Sequence, residues 1–339
     1  MMSRQPDSTP TVLFVICAIL VLGLMYLASP VFVPLAFALF MLALVAPARA
    51  WLNRRMPAWL AALATLLLTA AGAAVFLSLA GWGFGLIAQW MLGNANRFQR
   101  LFSLETENLH PHGALLVRMF LDSFNVSWLV RLVQEVALRI NSMLGLAFLT
   151  IIFIALGLFE LDEAPARLEK LLGPQRSRDW LRGAAQIAAK LRRYMWIRTI
   201  ASVLTGLTVW LFAMYAGLEL ATAWGGLAFL LNYIPFLGPF VATVFPALFA
   251  FGQYESLQAS LAVFLVLNFI QIAYGCYLEP RLAGNALSLS PLMVMLAVFF
   301  WGFVWGIPGT FIGVPLLIAC TTAFSISFNR TGAVRHETD

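Results

Sequence analysis

The chain has 339 residues, 62% of them apolar and 11% charged, with a formal net charge of +6 and a mean hydropathy of +0.88. That balance lies well outside the range of soluble domains and specifies an all-α, polytopic helical membrane protein. The positive excess sits in loops beside apolar runs, where the positive-inside bias accounts for it, so nucleic acid is excluded as a partner.

The first apolar run, Thr11 to Ala28, follows Arg4 and has the outline of a leader peptide. A second run, Val31 to Val45, begins after only Ser29 and Pro30, so the two read as consecutive spans that stay in place. Arg49, Arg54 and Arg55 follow without an acid, which puts that loop and the N-terminus in the cytoplasm. Trp59 to Trp90 is longer than one span needs, and Gly81, Gly83 and Gly85 are expected to mark its exit or a bend. Residues 1–92 thus form three spans that serve as a scaffold.

Residues 93–142 carry charges of both signs, with His110, Pro111 and His112 in a loop. Leu129, Leu132, Val133, Val136, Ile140 and Met143 recur on one helical stripe, which predicts a small amphipathic domain outside the cell. Residues 143–160 return across the membrane. The run of Lys and Arg within 161–198 faces the cytoplasm, and Trp180, Ala184, Ile187 and Leu191 give it an interfacial helix suited to anionic lipid or to a docking protein.

Residues 199–329 form a transport core, and 330–339 a cytoplasmic tail with Arg330 and Arg335. Within the core only Glu219, Glu255, Glu279 and Arg281 are charged. Two Pro/Gly clusters break it, one with Asn232, Pro235, Gly238 and Pro239, the other with Gly306, Pro308 and Gly309. Each break is followed by a second apolar stretch with its own proline, Pro246 in one and Pro315 in the other. Hydrocarbon cannot satisfy free backbone groups, so such breaks survive only under protein or beside water. Parity makes both segments helical hairpins that dip from opposite faces, the trace of an inverted repeat with a water-lined chamber at the midplane. The expected total is about six full spans plus two broken hairpins, eight or so hydrophobic segments. Prolines that merely kink ordinary spans are the alternative.

The chain is similar to a known family in Glu279-Pro280-Arg281, Gly284, Ser288, Ser290-Pro291, Trp301-Gly302, Gly306, Pro308-Gly309, Gly313 and Pro315, and in the earlier Asn232 to Pro239 cluster. These residues resemble the signature of the autoinducer-2 exporter-like (AI-2E) transporters. The resemblance implies a multi-pass protein of the bacterial inner membrane that exports a small polar solute or signal molecule; the basic loops and tail put both termini in the cytoplasm, and the paired breaks point to alternating access. Members of that kind have also been linked to cation/proton exchange, which the lack of a deep acid in any span makes harder to support here.

Candidate path residues are the break itself (Asn232, Pro235, Gly238, Pro239, Pro308, Gly309, Pro315), the amides Asn268 and Gln271 on one helical face, and the pair Glu279 and Arg281. The amides could equally bond between helices, and the ion pair could simply cap its segment. No P-loop, zinc-ligand set or intramembrane nucleophile is visible, so neither an enzyme nor a metal or other cofactor is expected. Membrane lipid and further copies of the chain are the expected partners beside the solute. A passive oligomeric channel or scaffold, held through the external stripe, remains the competing class.

Overall fold

The computed structural model describes residues 9–95, 97, 100, 126–283 and 289–336. The predicted loop with His110 and His112, residues 284–288, and the side chains of Leu129, Leu132 and Val136 lie outside the described residues. The helices are α1 (Thr9–Leu27), α2 (Ser29–Asn53), α3 (Ala58–Gly93), α4 (Val126–Glu160), α5 (Ala164–Leu172), α6 (Pro174–Tyr215), α7 (Ala221–Leu231), α8 (Leu237–Tyr254) and α9 (Leu257–Ile272). A π-helical stretch, Ala273–Leu278, then leads into the short α10 (Glu279–Ala283), and α11 (Pro291–His336) ends the series. Among the described residues there is no strand, and seven helices are long and apolar enough to cross a membrane.

Three long helices run through positions where the sequence suggested a boundary. Glycines at 81, 83 and 85 neither end nor interrupt α3. Gly83 instead lets α7 approach, since an added Cβ would stand 3.3 Å from Leu227 Cγ. The amphipathic stripe before Ser142 and the fourth span are one helix, α4, of 35 residues. Likewise the basic interfacial stretch and the following span are one helix, α6, of 42 residues. At 1.5 Å per residue α6 is about 63 Å long, twice the hydrocarbon thickness, so it projects well beyond the bilayer.

Both Pro/Gly clusters reverse the chain. After α7 the residues 232–236 form a turn in which Phe236 takes φ 63°, and α8 then folds back on α7. In α11 the reversal is at Gly306, with φ 67° and ψ −145°, a region open essentially to glycine alone. Its two arms, 291–305 and 307–336, run antiparallel, with Gly313 beside the Ala297 carbonyl and Gly302 beside Thr310. The incoming arms are short: α7 has 11 residues, about 16 Å, and 291–305 about 22 Å, so neither crosses the roughly 30 Å of hydrocarbon.

Helix α6 shows which way each hairpin points. Arg192 in its first half donates to the Ala43 carbonyl of α2 at 2.8 Å. The turn of the first hairpin lies a little further along, where Tyr233 Oη donates to Thr199 Oγ1 at 3.1 Å and Asn232 Nδ2 to Ser202 Oγ at 3.2 Å. Its open end sits at the far end of α6, where Tyr254 Oη reaches the Ala216 carbonyl and Gln253 Nε2 the Gly217 carbonyl. The second hairpin is the other way up. Its turn lies near the end of α1, with Trp305 Nε1 donating to the Met25 carbonyl at 3.0 Å, and its outgoing arm carries Ile326 back to Gly183 at the start of α6.

Each hairpin has its own apolar core. The first packs Trp224, Leu227, Phe249 and Ala250 with Ile87 and Met91 of α3, Val209 of α6 and Leu267 of α9. The second packs Val298, Trp305, Ile312 and Ile318 with Val33 and Phe40 of α2 and Leu191 of α6. A third, smaller cluster joins α2, α3 and α4 through Ala38, Leu42, Ala62, Ile154 and Leu158. Helix α6 is thus common to both hairpins, while α2 and α3 each attend one.

Candidate functional site

The site begins with how closely α7 lies on α6. An added Cβ at Gly206 would stand 2.9 Å from the Gly225 carbonyl oxygen, and one at Gly225 would stand 2.9 Å from that of Gly206. Small residues facing one another let membrane helices touch backbone to backbone. That contact carries the first turn down onto a polar strip of α6 made by Arg198, Thr199, Ser202 and Thr205. Arg198, Ser202 and Thr205 are buried and recur at i, i+4 and i+7, one face of the helix.

The strip ends in an ion pair. Arg198 Nη1 donates to Glu279 Oε1 at 2.5 Å, and Arg198 Nε reaches Tyr194 Oη at 3.4 Å. The side chains are 10% and 22% exposed, so the pair is largely out of water. Arg281, the partner the sequence suggested for Glu279, instead lies over the Tyr277 ring at 4.1 Å and is exposed. One more tie holds this segment, Arg193 Nη2 to the Leu282 carbonyl at 3.2 Å.

The two turns meet through rings. Tyr233 stacks on Phe311 of the second hairpin, centroids 6.0 Å apart, and Phe311 stacks on Phe37 of α2 at 5.8 Å. Phe76 of α3 stands edge-on to both Tyr233 and Phe311. The sequence led us to expect a water-lined chamber between the elbows; aromatic packing occupies that position instead. Offset and edge-to-face rings of this kind stabilise by about 0.5–1.5 kcal/mol a pair beyond the area they bury.

The other residues selected from the sequence divide into those that shape the turns and those that stand apart. Gly238 is buried under the Leu231 carbonyl and Gly309 under that of Trp301, so each glycine sits where the outgoing arm presses on the incoming one. Pro235 and Pro315 are buried, Pro239 and Pro308 half-buried. Asn268 Nδ2 donates to the Phe264 carbonyl of its own helix at 3.0 Å and, among the described residues, bridges to no neighbouring helix. Gln271 is buried, and among the described residues its Nε2 has no partner. A separate cavity of about 460 Å³ lies between α3 and the first hairpin, lined by Gly81, Gly85, Ala88, Leu227 and Phe245 among others. Its lining includes Pro246 of the first outgoing arm but none of the candidate path residues.

A model of the AI-2E family transporters matches residues 14–328. The chain belongs to the AI-2E family. It is 32% identical to the AI-2 transport protein TqsA of Escherichia coli K12 over 55% of this chain and 54% of TqsA. Against TqsA, therefore, the match spans about half of the relative's length. It is 28% identical to YhhT of the same organism, provisionally named a transport protein, over 94% of this chain and 92% of YhhT. A similarly named protein of Haemophilus influenzae is 27% identical over 94% and 93%. The polar strip of this AI-2E protein was not legible as such, because Arg198 closes a long run of loop-like basic residues. Its only sequence signal is the spacing from Arg198 to Ser202 and Thr205 in an otherwise apolar stretch. Tyr233, Phe311, Phe37 and Phe76 carried no signal that separated them from other aromatic residues in spans.

Proposed function

We propose that this membrane transporter is a secondary carrier that exports a small polar solute, one like autoinducer-2, by alternating access across the bacterial inner membrane. Both termini are cytoplasmic, so the first hairpin enters from outside and the second from the cytoplasm. The contact of Tyr233 with Phe311 carries the reading. It joins the two opposed turns to each other, and through Phe37 and Phe76 to the scaffold of residues 1–92, at one small ring cluster. In the state described here the cluster closes the path; movement of one hairpin relative to the other opens it. Asn232, Ser202, Thr199 and the Arg198–Glu279 pair then offer hydrogen bonds to a polar solute beside the parted rings.

Because each hairpin has its own core, the moving boundary lies between the cores, and little apolar surface needs to be exposed. Movement of lids and domains on microsecond-to-millisecond scales suffices for carriers of this kind. The basic first half of α6 and α5 rest on anionic lipid, and copies of the chain assemble through the external part of α4. The protein has no enzymatic step to perform. Purified protein in liposomes loaded with autoinducer-2 tests the reading. Saturable uptake of labelled solute against the unlabelled pool is expected; flux that rises linearly with the gradient would make the protein a pore.

A further inference from the structure

Arg198 is a buried guanidinium in a helix apolar enough to span the membrane. Its Nη1 is bound to Glu279 and its Nε to Tyr194, while among the described residues Nη2 donates to nothing. A buried ion pair is a weak device for stability, since apolar residues of similar volume often serve as well or better. Ionisable groups kept at such positions in membrane proteins mark solute and ion pathways. Here the neighbours support a pathway, because Thr199, Ser202, Asn232 and the Tyr233 hydroxyl line the same face of α6.

Glu279 is seated so that it can leave. The π-helical stretch Ala273–Leu278 runs straight into it, and its backbone N–H bonds the Tyr274 carbonyl five residues back. Single π turns inside α-helices occur often at functional sites. Shedding one residue of that stretch into α-helix would turn Glu279 by about 100° about the axis and take its carboxylate off Arg198. Pro280 follows, with no N–H to lose in the change. A planar guanidinium freed in this way presents a fork of donors that fits a carboxylate or phosphate in a way no amide does.

Resting on the carrier reading, we infer that Arg198 binds an oxyanionic group of the cargo, carboxylate or phosphate, and that Glu279 is the resting counter-ion which the cargo displaces. The cargo is then a small hydroxylated oxyanion: the charged group lies on Arg198, and its hydroxyls lie on Thr199, Ser202 and Asn232. At every stage the buried cation keeps one anionic partner.

Thermal unfolding of the purified full chain tests this, with acetate, inorganic phosphate, ribose 5-phosphate and ribose as probes, ionic strength matched with sodium chloride. Ribose 5-phosphate is expected to raise the unfolding temperature more than ribose does, because a ligand that binds only folded protein stabilises it by mass action. Glu279→Gln removes the competitor and should tighten the apparent affinity at least tenfold. Arg198→Lys keeps the charge without the fork and should weaken it at least tenfold. The double variant Arg198→Gln with Glu279→Gln removes both charges together, retains the fold and should lose the response. The inference is overturned if the double variant responds like wild type, if ribose does as well as ribose 5-phosphate, or if no oxyanion stabilises wild type. Saturable counterflow that persists undiminished in the double variant would also overturn it while leaving the carrier standing. Linear flux in wild type would remove the carrier itself.

Discussion

Gly309 has no room for a side chain, because an added Cβ would overlap the Trp301 carbonyl oxygen and press on Trp305 Cβ. Gly85, on α3, has nothing within 4 Å of the same position. Gly309→Ala is therefore expected to cost at least the ~1–3 kcal/mol of an overpacked core and to lower the unfolding temperature clearly. Gly85→Ala should instead keep or raise stability, by up to about 1 kcal/mol, since alanine suits a helix interior better. Thermal unfolding in detergent compares them directly; equal unfolding temperatures would mean that the second turn is not packed as described. Tyr233→Phe keeps the ring on Phe311 and deletes only the bond to Thr199, so about 0.5–1.5 kcal/mol should be lost by the same measurement. At this scale the turn-forming glycines and prolines could be read from sequence, since nothing else explains their clustering in a lipid-facing chain. Arg198 could not, because its charge continues a run that the positive-inside rule already explains.

Elements were legible where they are defined by apolar length, and less so where two roles share one helix. Both α4 and α6 join an amphipathic section to a span, and the change in side-chain polarity hides an unbroken ladder of backbone bonds. Gly81, Gly83 and Gly85 cost up to about 1 kcal/mol each against alanine, too little to end a helix that the membrane forces to keep its bonds. The reversal at Gly306 is a real break, and Gly306→Ala should cost about 1–3 kcal/mol because alanine resists φ 67° with ψ −145°. The π stretch gives another test. Deleting Gly275 should restore α-helical spacing and turn Glu279 away, so that cysteines placed at 198 and 279 cross-link well in the full chain and poorly in the deletion. Equal cross-linking would mean that the π turn does not set the orientation of Glu279.

For the whole molecule, composition alone fixes the class, and the paired Pro/Gly clusters with their parity foretold two hairpins entering from opposite ends. What they meet through was not foretold: hydropathy assigns the same value to an aromatic residue facing lipid and to one facing another ring. The distribution of cores is likewise invisible in sequence, because it depends on which early helix attends which hairpin. In the structure α3 attends the first and α2 the second, with α6 between them. On the proposed mechanism, relative movement of the hairpins shears the ring cluster at Tyr233 and Phe311, at the margin of the two cores.

Joining those two positions tests that claim most directly. In a background with Cys17, Cys276 and Cys320 replaced by serine, cysteines introduced as Tyr233→Cys and Phe311→Cys are bridged by a short cleavable thiol cross-linker in liposomes that carry labelled autoinducer-2. The rings are stacked at 6.0 Å, so the bridge should form in high yield, stop saturable flux, and release it when the linker is cleaved. Undiminished flux through the bridged protein would contradict the account, since the two elbows would then have no need to part.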